Sequence, residues 1–483
     1  MFDRLFMRKS IHGIKPMDSG EGHALKRHLG AAHLMMIGIG AIIGAGIFVI
    51  TGQAAAEFAG PAVVISFLIA AVVCLFAGLC YAELSSMIPI SGGSYSYSYV
   101  SMGEFPAWMV GWALVAQYLI SASTVAVGWS GYFVSFLKDF GLMLPTTISH
   151  APIAYSAEGG WQWTGAVFNI PAVVLAVLLG ILVCVGIRAV THFNNLMVVI
   201  KLSAIVLFLC LGVFYINSDN WTPFIPANTG IFGEFGWSGI LRASGLVFFA
   251  YIGFDTVSTL AQDAKSPQRD LPIGILGSLI VCTLAYIATS LVLTGVVSYT
   301  ELGVPDPMSV ALNAMHGKFF WVKLVVKLAI LAGLASVVLV QMLGITRIFY
   351  AIGQDGLLPQ AFSRLHGRTK TPLFSSVVTV LVMIVVSGLF PINVLGQLVS
   401  MTTLFLFTIV CLGVWLLRKR HPEFKRGFKV PFVPLVPILG IVACISQMLF
   451  LPLITWTQMI LWLVLGLFVY FIYGIRNSKI RNT

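Results

Sequence analysis

The sequence predicts an all-α polytopic membrane protein with twelve transmembrane helices. Hydrophobic residues make up 58% of the 483-residue chain, and charged residues only 9%. Ordinary globular domains carry about 25% charged residues, so this composition excludes a large soluble protein. Apolar segments of about 20 residues, the length that crosses a bilayer, recur along the whole chain. We expect spans at about 32–56, 61–87, 105–137, 170–189, 193–217, 237–262, 271–297, 319–352, 373–390, 392–417, 431–450 and 453–473.

The basic residues give these spans an orientation. An even number of spans places both termini on the same side of the membrane, and basic residues favour the cytoplasmic side. With both termini assigned to the cytoplasm, only Lys138 and Lys318 fall in external loops. The net charge of +11 is explained by this topology, so we expect a multi-pass protein of the plasma (inner) membrane. The lipid bilayer is then its surroundings, and a nucleic-acid partner is not expected.

One segment of the first predicted span is unusually rich in glycine. Residues 38–48 read Gly-Ile-Gly-Ala-Ile-Ile-Gly-Ala-Gly-Ile-Phe within an apolar stretch. Glycine destabilises a helix by roughly 1 kcal/mol relative to alanine, and broken backbone occurs in a membrane only where protein or a watery cavity covers it. The segment therefore indicates a helix that unwinds midway, although glycines spaced like Gly40 and Gly44 also serve close helix packing.

A second segment of the same kind lies in the sixth predicted span. There Gly253 and Asp255 lie deep in an apolar run, and an ionisable residue at such depth marks a functional site. Counted at 1.5 Å per residue, both glycine clusters lie roughly 15–18 Å from the same membrane face. Two interrupted helices that run in opposite directions, five spans apart, are typical of an inverted five-plus-five repeat.

The domain organisation follows from this pairing. We expect one membrane domain, in which two repeats of five spans are followed by two extra helices. The predicted boundaries are 1–31 for a cytoplasmic segment, 32–473 for the membrane domain, about 32–217 and 237–417 for the repeats, about 431–473 for the extra helices, and 474–483 for a cytoplasmic tail.

Two adjacent helix breaks offer the backbone groups that bind a zwitterion. Amides at the start of a half-helix attract an anion, and carbonyls at the end of the preceding half attract a cation. An amino acid carries both charges on one carbon, so its carboxylate and ammonium fit the two breaks together. The predicted contacts are the amides of Ala45, Gly46 and Ile47 for the carboxylate, the carbonyls of Ile42, Phe249, Ala250 and Ile252 for the ammonium, the remaining break residues Ile43, Gly44 and Gly253, and the Phe249 ring as a lid.

Lys201 is an ionisable residue about eight residues into the fifth predicted span, roughly 12 Å deep. Its side chain either snorkels to the membrane surface or holds its ammonium against carbonyls of the unwound part of the first span. In the second case the ammonium fills the place that a sodium ion would occupy, and proton exchange there can be coupled to transport. We expect Lys201 and Asp255 to be the coupling residues, with the proton as coupling ion and with no sodium, other metal or cofactor.

The loops are expected to carry little chemistry. The Ser- and Tyr-rich stretch 91–99 is predicted to be a short loop with interfacial tyrosines. In the long external segment 138–169, Trp161 and Trp163 are predicted interface anchors. Glu83, near the end of the second span, is predicted to be a gate or interface residue.

Several segments resemble one known family. Residues 38–49 resemble the first span of the amino acid–polyamine–organocation (APC) superfamily. Its cationic amino acid transporter branch is resembled, in order along nearly the whole chain, by the segments 81–84, 128–132, 248–255, 266–275 and 346–359. The resemblance implies a bacterial-type amino acid permease with a LeuT-like inverted-repeat fold and alternating access around a central site. It also implies that Lys201 matches the lysine of sodium-independent, proton-linked members.

One position departs from the pattern of this branch. Its bacterial members commonly have a glutamate before the tyrosine of Trp-x-Leu-x-x-Glu-Tyr in the third span, and here Gln117 takes that place. In the eighth span, Gln341 and Met342 fall where the resemblance places side-chain selectivity. A neutral glutamine removes a carboxylate that would favour a cationic side chain. We therefore expect neutral or broad-range substrates, with Gln117, Phe249 and Met342 shaping the pocket.

The leading hypothesis is a proton-coupled, sodium-independent amino acid permease rather than an enzyme. Its alternatives are a cationic amino acid transporter, an amino acid exchanger without net proton flux and, more remotely, a membrane-embedded enzyme. A lipid-directed enzyme needs a cluster of His, Asp or Glu near the interface, which the sequence does not display. The oligomeric state is left open.

Overall fold

The computed structural model describes residues 5–8, 29–88, 92–156, 160–185, 187–261, 264–315, 320–367 and 371–482. This part of the chain is mostly helical. In chain order its main helices are α1 (Ala31–Ile42), α2 (Gly46–Ile50, continued by Thr51–Ala54 and Ala55–Ala59), α3 (Val63–Met87), α4 (Gly93–Ser101), α5 (Glu104–Asp139), α6 (Ile170–Val185), α7 (Ile187–Gly212), α8 (Gly236–Val247), α9 (Phe254–Thr259), α10 (Pro267–Val296), α11 (Pro307–Ala314), α12 (Phe320–Gln354), α13 (Leu373–Leu389), α14 (Ile392–Arg420), α15 (Leu435–Leu449) and α16 (Leu453–Val469).

Shorter elements connect these helices. One-turn helical segments lie at Thr146–Ser149, Val213–Tyr215, Ser218–Trp221, Phe248–Tyr251, Tyr299–Glu301 and Gln360–Ser363, and the chain ends in Tyr470–Gly474, Ile475–Asn477 and Lys479–Asn482. The fold is not purely helical, because β1 (Ile153–Ser156) and β2 (Gly160–Trp163) form an antiparallel pair with Ile153 opposite Trp163. Trp163, predicted to be an interface anchor, is 82% exposed.

The helices have the length and composition of a polytopic membrane protein. Eight helical segments of the described ranges are long and apolar enough to cross a bilayer, and four shorter apolar helices accompany them. A helix satisfies its own backbone hydrogen bonds, which is what a segment in hydrocarbon requires. Each predicted span coincides with one or two of these helices, and the first span is divided into α1 and α2.

The stretch 91–99 was predicted wrongly as a loop. Residues 93–99 belong to α4, whose Tyr95, Tyr97 and Tyr99 are only 1–2% exposed, and residue 91 lies outside the described residues. The Tyr95 hydroxyl donates to Asp355 Oδ2 at 2.6 Å, and ring contacts join Tyr95 to Tyr99. The small serines between the tyrosines let the helix pack closely, so a sequence that looks like a polar linker forms a buried helix.

Helices α5 and α12 pack antiparallel in a constant register. At one end Lys323 and Lys327 both contact Asp139, at 2.5 and 2.6 Å. Further along, a Cβ on Gly344 would lie 2.8 Å from the Tyr118 ring. In this antiparallel register, a step of four residues forward along α12 corresponds to a step of four residues backward along α5.

A buried carboxylate organises the opposite end of the bundle. Glu83, at the end of α3, accepts hydrogen bonds from Arg418 Nε and Nη2 at 2.8 and 2.7 Å, from Arg426 Nε at 3.1 Å and from the Val430 amide at 2.7 Å. The carboxylate therefore holds α3 to the end of α14 and to the segment that follows it. Glu83 was predicted to be a gate or interface residue, and the structure shows it as a buried carboxylate that joins three segments.

Both ends of the described chain meet at a second buried carboxylate. Glu104, at the start of α5, accepts from the Tyr470 hydroxyl at 2.8 Å and from the Ser478 hydroxyl, and Arg481 Nη2 pairs with it at 2.7 Å. Its own amide donates to the Met7 carbonyl at 3.0 Å. The first and last segments are thus fixed to the same helix end.

Replacing Glu83 by alanine is expected to destabilise the folded protein strongly. Arg418 and Arg426 would lose the carboxylate that balances their positive charges. Removing one partner of a buried ion pair costs about 3–5 kcal/mol. The apparent melting temperature in detergent measures this effect. Glu423→Ala is the control, because Glu423 pairs with His421 in an exposed place. Equal melting temperatures for the two variants would contradict the structural role of Glu83.

Candidate functional site at two helix breaks

The first break separates α1 from α2. Ile43, directly after α1, is extended (φ −73°, ψ 101°), and its amide still donates to the Ile39 carbonyl at 2.9 Å. The helix resumes at Gly46 after Ala45, which has helical dihedral angles. The predicted unwinding is therefore present, and it spans residues 43–44.

The second break separates α8 from α9. A short 3₁₀ turn, Phe248–Tyr251, follows α8, then Ile252 is extended (φ −66°, ψ 132°). Gly253 has φ 128° and ψ −21°, a conformation that L side chains rarely adopt. Glycine at this position lets the chain form the turn that precedes α9.

The two breaks are in direct contact. A Cβ on Gly46 would lie 2.3 Å from both Cα and Cβ of Ala250, and one on Gly253 would lie 2.7 Å from the Ala41 carbonyl carbon. Backbone can approach backbone this closely only where the Cβ atom is missing. The structure thus brings together the predicted residues of both breaks.

The glycines of the first span divide between two roles. A Cβ on Gly38 would lie 2.6 Å from the Ser278 hydroxyl, and one on Gly40 would lie 2.6 Å from the Val198 side chain. These two glycines serve helix packing, as the alternative interpretation holds. Gly46 instead serves the contact between the breaks, so both interpretations apply to different glycines of the same run.

The first break leaves the amide of Gly44 and the three amides that follow it open. The structure gives the amides of Ala45, Gly46 and Ile47 no hydrogen-bond acceptor from the described part of the chain, and the next amide, of Phe48, donates to the Gly44 carbonyl at 3.3 Å. A buried amide without an acceptor is costly. These three are the donors predicted to hold a carboxylate.

Three of the four carbonyls predicted to hold the ammonium, in contrast, already have donors, and for the fourth, of Ile252, the described structure shows none. The Tyr286 hydroxyl of α10 lies 3.0 Å from the Ile42 carbonyl and 2.5 Å from the Ala250 carbonyl. A hydroxyl has one proton, so it donates to one of them at a time. The Phe249 carbonyl accepts from the Ile252 amide at 3.2 Å. Each carbonyl oxygen has a second lone pair that remains available to a further donor.

Lys201 lies where the second interpretation of its side chain places it. Its Nζ donates to the Ile43 carbonyl at 2.8 Å and to the Gly40 carbonyl, and the residue is fully buried. Snorkelling to the surface is therefore not its conformation in this structure. A cation at this position compensates carbonyls that the break removes from the helix ladder.

Asp255 joins α9 to α5. Its Oδ1 accepts from the Gly253 amide at 3.2 Å, and its Oδ2 lies 3.5 Å from Gln117 Nε2 and 3.4 Å from the Tyr118 hydroxyl. The carboxylate therefore stabilises the second break and orients the Gln117 amide group. Gln117 and Asp255 are brought together, as members of one site must be.

Gln341 and Met342 point in different directions from α12. A Cβ on Gly180 of α6 would lie 3.5 Å from the Met342 methyl group, and no contact given for Met342 in the described structure reaches either break. Val337, one turn before Gln341, packs against Gly44. A Cβ on Gly44 would lie 3.2 Å from the Val337 side chain. Gln341 therefore lies on the face of α12 that meets the first break.

The comparison with known proteins decides the family. The family described as "Amino acid permease" matches residues 29–470. The chain belongs to the amino acid permease family. It is 42% identical to the methylthioribose transporter of Bacillus subtilis (strain 168) and 39% identical to the branched-chain amino acid permease BcaP of the same organism, over 99% of each chain in both cases. It is 37% identical to the chloroplastic cationic amino acid transporter 9 of Arabidopsis thaliana, over 88% of this chain and 73% of that protein.

The predicted family is thereby confirmed, and the molecule is a permease with several apolar membrane helices. Sequence reasoning missed one residue of the candidate site. Tyr286 looks like an ordinary aromatic residue of an apolar span, and only its distance to both breaks identifies it. Gln341 is indicated by the family resemblance, and the four-residue spacing from Val337 places it on the same face of α12.

Replacing Gly46 by alanine is expected to lower the substrate affinity of the permease at least tenfold. The added methyl group would collide with the Ala250 backbone, and the two breaks would have to separate. The measurement is substrate-induced thermal stabilisation of the purified protein, together with uptake into proteoliposomes. Gly30→Ala is the matched control, because no heavy atom lies within 4 Å of its Cβ position. An unchanged affinity would show that this backbone does not touch the substrate.

Proposed function

We propose that the permease is a secondary active transporter that carries neutral L-amino acids across the plasma membrane by alternating access. The observation that carries the proposal is the open set of amides at Ala45, Gly46 and Ile47, beside the contact between the breaks. Backbone amides at a helix start are suited to a carboxylate. The family membership supports the same conclusion.

The ammonium of the substrate has its acceptors on the other side of the same contact. The Ile42 and Ala250 carbonyls lie close enough to share one donor, the Tyr286 hydroxyl. A bound ammonium would use their second lone pairs or replace that hydroxyl. The two charges of the zwitterion would thus bridge the two broken helices, which makes the substrate part of the contact that holds them.

The proposed architecture has twelve spans with both termini in the cytoplasm. Residues 32–217 and 237–417 form the two inverted repeats, residues 431–473 add two helices, and 1–31 and 474–483 are the terminal segments. The near-midplane contact of two oppositely directed broken helices supports this arrangement. Motion of one group of helices against the other would expose the site to each side in turn.

A neutral substrate is favoured by the charges of the site. Asp255 already accepts from the Gly253 amide and faces Gln117 and Tyr118, so it is not an open partner for a cationic side chain. The relatives include both substrate types, since this chain resembles a branched-chain amino acid permease and also a cationic amino acid transporter. The alternative is cationic amino acid transport, which a negative charge at position 117 would favour.

Replacing Gln117 by glutamate is expected to move the preference toward lysine and arginine by about tenfold. The new carboxylate would lie in the pocket beside Asp255 and attract a cationic side chain. Competition of labelled alanine uptake by lysine, arginine and leucine measures the change, with Gln397→Glu as control, because Gln397 contacts Thr455 on another side of α14. If lysine and leucine compete as they do in the wild type, position 117 lies outside the pocket.

We further propose that Lys201 couples transport to protons. Its ammonium holds the Ile43 carbonyl of the first break, so loss of its proton would release one end of that break. Such a link makes the conformation of α1 depend on the protonation of Lys201. The competing hypothesis is an exchanger, which would show strong trans-stimulation and no dependence of uptake on a pH gradient.

Replacing Lys201 by methionine is expected to lower pH-gradient-driven uptake at least tenfold, while the protein stays folded. Methionine retains much of the side-chain volume but offers no donor to the break. Uptake into proteoliposomes with an acidic exterior measures the effect, and size-exclusion chromatography verifies folding. Lys201→Arg is the companion variant, since arginine keeps the charge at all accessible pH values. Normal pH-driven uptake in either variant would remove Lys201 from the coupling step.

A second candidate function has a specific observation in its favour. The methylthioribose transporter is 42% identical to this chain over almost its full length. A methylthio-substituted pentose has no zwitterion, so it would not use the amides and carbonyls of the breaks as an amino acid does. Competition of amino acid uptake by methylthioribose, in wild type and in Gly46→Ala, separates the two candidates.

A further inference from the structure

We infer that the variable group of the substrate carries hydrogen-bond donors, as the side chains of serine, threonine, asparagine and glutamine or the hydroxyl groups of a pentose do. The inference rests on the proposed function and concerns the pocket between α5, α12 and the two breaks. An aliphatic side chain is the less suitable occupant. The pocket is the region that Gln117 and Gln341 border, and these two side chains carry the inference.

Both glutamines present a buried oxygen without a partner. Gln117 is fully buried and Gln341 is 2% exposed, and within the described structure neither Oε1 has a hydrogen-bond donor. Buried polar groups in folded proteins are nearly always paired. Two such acceptors in neighbouring helices therefore mark a place that a ligand completes.

The orientation of the Gln117 amide group is determined by its neighbour. Its Nε2 faces Asp255 Oδ2 at 3.5 Å. The reverse orientation would place two oxygens against each other. The unpaired atom of Gln117 is therefore an acceptor, and it requires a donor from the substrate rather than an acceptor.

The two oxygens lie on faces that look toward the same space. On α5, Gly128 lies three helical turns after Gln117, and its Cβ position is 3.7 Å from the Ala45 Cβ. On α12, Val337 lies one turn before Gln341 and packs against Gly44. Both helix faces therefore border the first break.

The register of α5 and α12 sets the distance between Gln117 and Gln341 along the helix axes. Lys327 Nζ donates to the Ser135 hydroxyl at 2.8 Å, and the Gly344 position contacts Tyr118. Continued along the antiparallel pair, this register puts Gln341 opposite Ser121. Gln117 is one turn away, roughly 6 Å along the axis. A short side chain with one hydroxyl would donate to one of these oxygens, and a group with several donors, such as an amide or a pentose, could donate to both.

Threonine and valine are the sharpest pair of substrates for a test. They have nearly the same shape, and only threonine has a hydroxyl in place of a methyl group. In wild-type proteoliposomes we expect the specificity constant of uptake to be about tenfold higher for threonine than for valine, because one hydrogen bond to a buried acceptor discriminates by about that factor. Equal uptake, or a preference for valine, would overturn the inference.

Variants assign the preference to the glutamines. In Gln341→Leu the ratio of threonine to valine uptake is expected to fall toward one. In Gln341→Glu, which keeps acceptor oxygens, we expect the wild-type ratio to persist. Gln397→Leu is the matched control, since Gln397 already accepts from the Thr455 hydroxyl, and it should retain the wild-type ratio. A folded Gln341→Leu protein with an unchanged ratio would refute the role of Gln341.

The same assay separates this inference from the proposed function and identifies the source of the donors. Inhibition of threonine uptake by methylthioribose that is lost in Gln117→Leu/Gln341→Leu would show that pentose hydroxyls use the same oxygens. Strong uptake of valine and leucine with weak uptake of threonine would leave amino acid transport intact and overturn the inference alone. Absence of uptake for every neutral amino acid would refute the proposed function as well.

Discussion

The site depends on the contact between Gly46 and Ala250. At this point two interrupted helices approach so closely that any side chain larger than hydrogen at position 46 would overlap the backbone of the other break. The open amides, the carbonyls near Tyr286 and the contact of Gln117 with Asp255 all lie on elements that border the two breaks. Because the contact is between backbones, it fixes the positions of amides and carbonyls more firmly than side-chain packing would.

A membrane protein that interrupts a helix must satisfy the backbone groups it releases. The permease does this unevenly. Lys201 and Tyr286 supply donors to the carbonyls of Gly40, Ile43, Ile42 and Ala250, so the electronegative ends of the breaks are stabilised from within. The amides of the first break receive no such compensation from the described chain, which leaves the site ready for an anionic group.

The sequence predicted those parts of the structure that simple counting reveals. Both breaks followed from glycine in an apolar span together with equal depth, and the contact of Lys201 followed from the depth of a charge that cannot easily reach water. The buried helix α4 could not be predicted, because Ser-Gly-Gly-Ser-Tyr has the composition of a turn and its burial comes from distant partners such as Asp355. Tyr286 and the direction of Met342 were inaccessible for a related reason, since helix rotation depends on packing that no local pattern contains.

The two broken helices are joined at three levels, and this restricts how the site can open. At one end the Lys265 amide donates to the Leu29 carbonyl at 2.9 Å, and at the other the Phe235 amide donates to the Phe58 carbonyl at 2.9 Å. The contact of Gly46 with Ala250 lies between them. The outer end is also a close backbone approach, because a Cβ on Gly239 would lie 2.1 Å from the Phe58 carbonyl oxygen. Opening the site on that side therefore has to separate Gly239 from Phe58 as well as break the hydrogen bond. The alternating access proposed for the permease would have to release the contacts of one end at a time while Gly46 stays against Ala250. A substrate bound at that contact would stay with both helices throughout.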